Sequence, residues 1–169
     1  IPSARPPHKD GARAASAEDR LIMTEYAVAE NPYFSVSDVE LRRDGPSYTV
    51  DTIAQLRTDL GDAELFFITG ADAMNDLYLW HEPEQLLRSC RFIVATRQGV
   101  PLDEVLIAEK FTVEDRSHIE VLPTPHLEIS STVIRARIHA GLSIRHLVPR
   151  VVEEYIEKRG LYREYDKEL

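Results

Sequence analysis

The sequence predicts an α/β fold built on a parallel sheet, and three observations predict it. Short, nearly continuous apolar runs, AELFFITG, RFIVATR and HIEVLP, read as strands. Between them lie segments whose apolar residues recur at helical spacing, and Gly or Pro punctuates most of the junctions. At 169 residues the chain suits a single domain, 1–169, long enough to bury a core.

Each element has a local cause. After the polar stretch PSARPPHKDGARAAS, Ser16 with Glu18 and Asp19 opens a helix that runs to about Ala29, where Asn31-Pro32 stops it. YFSVSDVEL alternates as a strand does, and Asp44-Gly45-Pro46 makes a turn. A helix starting at about Ser47 or Thr49 carries Val50, Ile53 and Ala54 on one face and ends at Leu60, before Gly61. AELFFITG is expected as a buried strand and ADAMNDLYL as a short helix; Glu82-Pro83 starts another helix, which leads into RFIVATR. A looser segment over 102–117 precedes the strand HIEVLP. The last helix runs from about Pro149 to Lys158 and ends at Gly160.

Charge and cysteine content narrow the function. A formal net charge of −9 argues against coating nucleic acid or an anionic membrane, so any anion site must be local. Cys90 is the only cysteine, which removes an internal disulfide and a cysteine-rich zinc site and suits a reducing cytoplasm. No apolar run is long enough to span a bilayer as a helix, and nothing resembles a signal peptide. The chain opens on Ile1-Pro2 as though a strand had just finished, so N-terminal sequence is expected to precede it.

The stretch LEISSTVIRARIHAGLS (residues 127–143) poses an electrostatic question. Ile134, Ile138 and Leu142 mark a helix capped by Ser130 or Ser131, with Gly141 at its far end. The first turn of a helix favours Asp or Glu, yet Arg135 is expected there. Hydroxyls at Ser130, Ser131 and Thr132 beside an arginine can instead donate several hydrogen bonds to a phosphate; the alternative is a capped helix with a solvent-facing arginine. At the carboxyl edge of the sheet, where ligands bind in such folds, Gly70 to Asp72, Thr96 to Gln98 and Ser130 to Arg135 should gather.

Other candidates are weaker alone. Gly70 permits close backbone approach, and Asp72 either accepts from ribose hydroxyls or caps the short helix. Trp80, beside His81, stacks on a planar ligand or anchors the core. Tyr48 and Thr49 mark a helix start that could hold a carboxylate, although Thr49 as a plain cap is simpler. Arg5, His8 and Lys9 form a basic loop able to close over phosphates or merely to be solvated. The remaining histidines lack metal-site spacing, and there is no P-loop, G-x-S-x-G or G-x-G-x-x-G.

Taken in order, PSARPPHK, DGPSYTVDT, TGADAMNDLYLWHE, ISSTVIRARI and LVPRVVEEYIEKRGLY resemble the bacterial nicotinate mononucleotide adenylyltransferases of the nucleotidyltransferase superfamily. The resemblance implies a Rossmann-like open parallel sheet with helices on both faces, and transfer of the adenylyl group of ATP to nicotinate mononucleotide in NAD biosynthesis, with Mg²⁺ accompanying ATP and no protein-bound metal. It implies that Ser130, Ser131, Thr132, Arg135 and Lys9 hold the ATP phosphates, with Arg135 catalytic. Gly70 and Asp72 hold the ribose; Trp80, Tyr48, Thr49 and His81 receive the mononucleotide. Family members begin with a strand and a G-G-x-F-D-P-x-H-x-G-H element, absent here, so the domain is expected to lack its first strand and helix. A phosphopantetheine-type adenylyltransferase is the enzymatic alternative, and a non-catalytic nucleotide-binding module the other if the chain starts at Ile1. ATP and the mononucleotide are the expected partners; nucleic acid is not, and homo-oligomerisation is left open.

Overall fold

The structure, a computed structural model, describes residues 1–5, 15–96, 101–125 and 129–163. In chain order the elements are α1 (Ala17–Val28), α2 (Thr49–Leu60), β1 (Phe66–Gly70), α3 (Ala71–Asn75), a 3-10 turn (Leu77–Leu79), α4 (Pro83–Ser89), β2 (Arg91–Thr96), α5 (Glu104–Lys110), α6 (Val113–Arg116), β3 (Ile119–Pro123), α7 (Ser131–His139) and α8 (Arg150–Arg159). They belong to two compact units, one of Tyr48–Leu127 and one of Ile1–Ser47 with Glu128–Leu169.

The Tyr48–Leu127 unit holds the sheet. Its strands pair in parallel in the order β1-β2-β3, with Gly70 opposite Ala95 and Thr96 opposite Pro123. Because strand side chains alternate, Phe67, Phe92 and Val94 share one face, and Phe92 and Val94 are fully buried against Met74, Leu77, Leu86 and Leu87. α2 adds Val50 and Ile53 to this core and stops at Gly61, whose left-handed φ of 63° lets its N–H bond the Arg57 carbonyl. Pro83 starts α4, where its missing N–H has no partner to lose.

Three expectations change here. β1 is not wholly buried: Phe66 and Ile68, on its other face, are 46% and 71% exposed, because the described helices pack β1 on the Phe67 side. The expected helix over 71–79 is broken at Asp76 into α3 and the 3-10 turn. The segment 102–117 is helical: Asp103 caps α5 by accepting from Leu106 N–H, and Thr112 with Asp115 forms a reciprocal capping box on α6. Ile107 and Phe111 drive that segment into the core.

In the other unit, Ser16 caps α1 by accepting from Asp19 N–H at 3.0 Å. The buried Asp19 ties α1 to α8: Oδ1 accepts from Tyr155 Oη (2.7 Å) and Arg159 Nε (3.2 Å), and Oδ2 from Ser16 Oγ (2.8 Å). Ile144, Val152 and Ile156 form an apolar cluster that also takes Met23, Ile134 and Ile138. The expected strand over 33–41 is irregular instead. Alternation supplies only one requirement of a strand; no described segment pairs with it in a ladder, and local amides bond within it, as from Leu41 N–H to Asp38 O.

Candidate active site

In the sheet unit, the parallel register brings the carboxyl ends of β1 and β2 together, with Gly70 at one and Thr96 at the other. Gly70 leads into α3 with extended backbone, φ −85°, so its role is spatial. A Cβ there would lie 2.5 Å from Asp72 Oδ1, which folds back over the glycine. Asp72 is exposed, and no side chain caps α3, which sets aside the capping alternative.

Tyr48 is the N-cap of α2 by backbone, and no side chain caps that helix; Thr49 is its first residue, not a cap. Among the described residues, no side chain accepts from the N–H of Thr49, Val50 or Asp51. The Tyr48 ring stacks on the exposed His81 at 4.1 Å between centroids and 27° between planes. That spacing leaves no room for a third ring between them, so a planar ligand would lie beside the pair. Trp80 is partly buried and meets Phe67 edge-to-face at 6.1 Å and 89°, so it is a partial core anchor with its plane fixed. Glu82, next to His81, holds a left-handed φ of 48° at the start of α4.

In the other unit, Ser130 caps α7 by accepting from Val133 N–H at 3.2 Å, and the first turn contains no acid. Arg135 lies in the second turn rather than the first. Helical side chains lean toward the amino end, and Arg135 Nη2 reaches back to Thr132 Oγ1 at 3.4 Å. Arg135 is partly buried. The far end closes on Gly141, with a φ of 69° and its N–H on the Ile138 carbonyl, while Leu142 N–H bonds Arg137. Among the expected residues, Lys9, like His8, Arg97 and Gln98, lies outside the described residues. Ser47, expected only as a possible helix start, is the buried residue before Tyr48, and its Oγ accepts from the amides of Ala4 (3.1 Å) and Arg5 (3.0 Å). Cys90 has no part in the chemistry: it is buried, and desolvation pushes its thiol up to about 11.

Known proteins share this architecture. Residues 1–137 match the cytidylyltransferase-like family. A protein of Moorella thermoacetica named "Probable nicotinate-nucleotide adenylyltransferase" is 47% identical over 165 residues, 96% of this chain and 76% of that protein. The chain belongs to the nicotinate-nucleotide adenylyltransferases. A relative of the same name from Thermus thermophilus is also 47% identical, over 96% of this chain and 81% of its own. The fold is that of the Plasmodium falciparum nicotinic acid mononucleotide adenylyltransferase solved with NaAD: the TM-score is 0.73 over 97% of this chain and 81% of that one, at 19% identity. Within the family, a nucleotidyltransferase sheet flanked by helices is the architecture the sequence predicts.

Proposed function

We propose that this protein transfers the adenylyl group of ATP to nicotinate mononucleotide, giving nicotinate adenine dinucleotide and pyrophosphate. The observation that carries the reading is 47% identity to a nicotinate-nucleotide adenylyltransferase over 96% of the chain. A mononucleotide phosphate oxygen attacks the α-phosphorus of ATP in line; the bond to the bridging oxygen breaks, and its electron pair leaves with pyrophosphate. No enzyme nucleophile is required, so the protein acts by positioning and by stabilising charge.

The residue roles follow from local chemistry. Ser130, Ser131, Thr132 and Arg135 take the polyphosphate: the start of α7 donates hydrogen bonds to anions and has no acid of its own to compete. Arg135 neutralises charge that develops on the leaving group, and Lys9 adds a second cation. Asp72 accepts from the ribose hydroxyls where Gly70 leaves room for it. Trp80 lies flat on the nicotinate ring, with the Tyr48–His81 pair beside it. The start of α2 at Tyr48 and Thr49 meets the ring carboxylate. Mg²⁺ enters as part of Mg-ATP, with phosphate oxygens and water as its ligands. No described helix is long and apolar enough to cross a membrane.

Discrimination between acid and amide tests the reading. The backbone at the start of α2 offers N–H donors, and the Tyr48 side chain makes no capping bond to them. A carboxylate accepts on both oxygens, whereas nicotinamide sets an NH₂ donor against a donor. The mismatch should cost about 2 to 4 kcal/mol, at least a tenfold preference for the acid. Dinucleotide formation is measured from nicotinate and nicotinamide mononucleotides at one Mg-ATP concentration. Equal efficiencies would remove the carboxylate role of Tyr48 and Thr49; no product from either would remove the activity.

A further inference from the structure

At the opposite end of the sheet from Gly70 and Thr96, the strands start side by side. Arg91 N–H bonds the Leu65 carbonyl at 2.9 Å, and Phe92 N–H bonds the His118 carbonyl at 2.7 Å. A cavity of about 340 Å³ opens on this amino edge, lined in part by Arg57, Arg88, Arg91 and His118. Glu64 is the one acid among its described lining residues. In a chain of net charge −9, three arginines and a histidine about one cavity invert the charge locally.

Each arginine also has a structural partner, and the partners differ in what they leave over. Arg88 Nε donates to Asp115 Oδ1 at 2.7 Å, and that carboxylate is fully buried, so the pair neutralises itself. Arg91 lies 3.6 Å from Glu64 and 3.8 Å from Glu120, long contacts between exposed groups that contribute little. Arg57 Nε donates to the Ser89 carbonyl at 2.6 Å, which closes the end of α4. That bond fixes where the guanidinium sits, yet among the described residues Arg57 has no carboxylate partner, and its charge is left without a counter-ion.

Arg57 and Arg88 are both anchored through Nε, and among the described residues their Nη groups make no hydrogen bond. A guanidinium held in this way presents its outer nitrogens at a set angle and has little freedom left to lose on binding. The same two arginines border a second, larger cavity, but Glu82 and Glu84 line it as well, so its charge is mixed. The smaller cavity, with His118, is the cationic one.

We propose that the amino-edge cavity binds a small phosphate-bearing anion, held by the Nη groups of Arg57 and Arg88 and by the His118 ring. Donors from α2, from α4 and from the residue before β3 suit a tetrahedral oxyanion, which accepts on all sides, better than a planar carboxylate. The volume of about 340 Å³ is at the small end of ligand pockets, which run from about 300 to 1,000 Å³, so the occupant is small. Because the cavity lies at the other end of the strands from Gly70, the proposal does not depend on the roles assigned there.

Backbone amide NMR of the full-length enzyme locates the binding directly. Inorganic phosphate and ribose 5-phosphate are titrated separately, each against sodium chloride at matched ionic strength. Both should shift the amides of Arg57, Ser89, Cys90 and His118 in a saturable way that chloride does not reproduce. Tighter binding of ribose 5-phosphate would identify the occupant as a phosphorylated metabolite; equal binding would identify it as free phosphate. Arg57→Ala and His118→Ala should each weaken binding at these amides at least about fivefold, and Arg135→Ala should leave it within about twofold of wild type. Arg88 is kept, because its loss would strand the buried Asp115 carboxylate. Should Arg57→Ala not fold, His118→Ala makes the comparison. Shifts that chloride reproduces, shifts confined to residues away from the cavity, loss of these shifts in Arg135→Ala, or unchanged binding in folded Arg57→Ala or His118→Ala would overturn the proposal.

Discussion

Adding one methyl group at Gly70 should disable ribose recognition without harming the fold. A Cβ at residue 70 would lie 2.5 Å from Asp72 Oδ1, inside any real carbon–oxygen contact. Relief requires the carboxylate to move by about 1 Å, the distance that restores ordinary van der Waals spacing. Among the described residues outside its chain neighbours, nothing else stands within 4 Å of that Cβ except the Asp72 Cγ at 3.7 Å, so the displacement falls on one side chain. The backbone tolerates alanine, since Gly70 is extended at φ −85° and ψ 160°. Replacing glycine where alanine is unstrained stabilises by about 0.4 to 1 kcal/mol through the unfolded chain. Meanwhile the loss of a charged hydrogen bond to ribose costs about 1.5 to 3 kcal/mol, or roughly tenfold to a hundredfold in ATP affinity.

Gly70→Ala is therefore expected to raise KM for Mg-ATP while the melting temperature holds or rises. Such a combination separates a displaced ligand from a damaged fold. Steady-state kinetics with each substrate varied in turn, alongside thermal denaturation, provides both readouts. Asp72→Ala should give a loss of similar size, and the double variant little more than either, because both remove the same contact. Unchanged KM for ATP in Gly70→Ala would refute the argument, as would additive losses.

Two further expectations concern Trp80 and Asp19. Trp80→Ala should weaken nicotinate mononucleotide binding at least about tenfold and leave ATP binding intact, with a moderate fall in melting temperature from the lost edge contact with Phe67; a large fall with normal mononucleotide affinity would make Trp80 a core residue alone. Hydrogen bonds from Tyr155 and Ser16, aided by Arg159, hold the Asp19 carboxyl below the usual carboxylate range, so its stabilising share is present above about pH 4 and lost as pH falls through the lowered value. Asp19→Asn should therefore melt below wild type at pH 7, with the gap closing under acid; a gap constant from pH 7 to pH 3 would refute this.

Helix boundaries were legible wherever a single residue type dictates the local geometry. Ser16 caps α1, Pro83 opens α4, and Gly61 and Gly160 adopt the left-handed turns that end α2 and α8. The capping box at Thr112 and Asp115 is written as T-x-x-D between Phe111 and Val113, but α6 is only four residues long, too short for a helical period to show. Pairing partners were not legible. Alternation over 33–41 describes how an isolated segment distributes its side chains, while a strand exists only through a neighbour. The Tyr48–His81 stack and the bonds of Asp19 with Tyr155 and Arg159 share that character. Each joins residues far apart in sequence, and no local signal in either partner announces the other.

Recognition of two anionic substrates by a chain of net charge −9 has to be local, and on the proposed reading the starts of α7 and α2 supply it. α7 opens without an acid and draws Arg135 back over its first turn; α2 opens without a side-chain cap. Both depart from what an isolated helix would choose, and each departure leaves donors where a ligand oxygen can complete them. Two other helices of the same chain do the opposite. α1 places Glu18 and Asp19 in its first turn behind the Ser16 cap, and α6 satisfies its start with Thr112 and Asp115. An exposed Asp51 in the first turn of α2 limits the contrast there, because its charge repels the carboxylate that the N–H groups attract. Specificity at that helix must therefore come more from the direction of hydrogen bonds than from net charge, whereas at α7 charge and direction act together through Arg135.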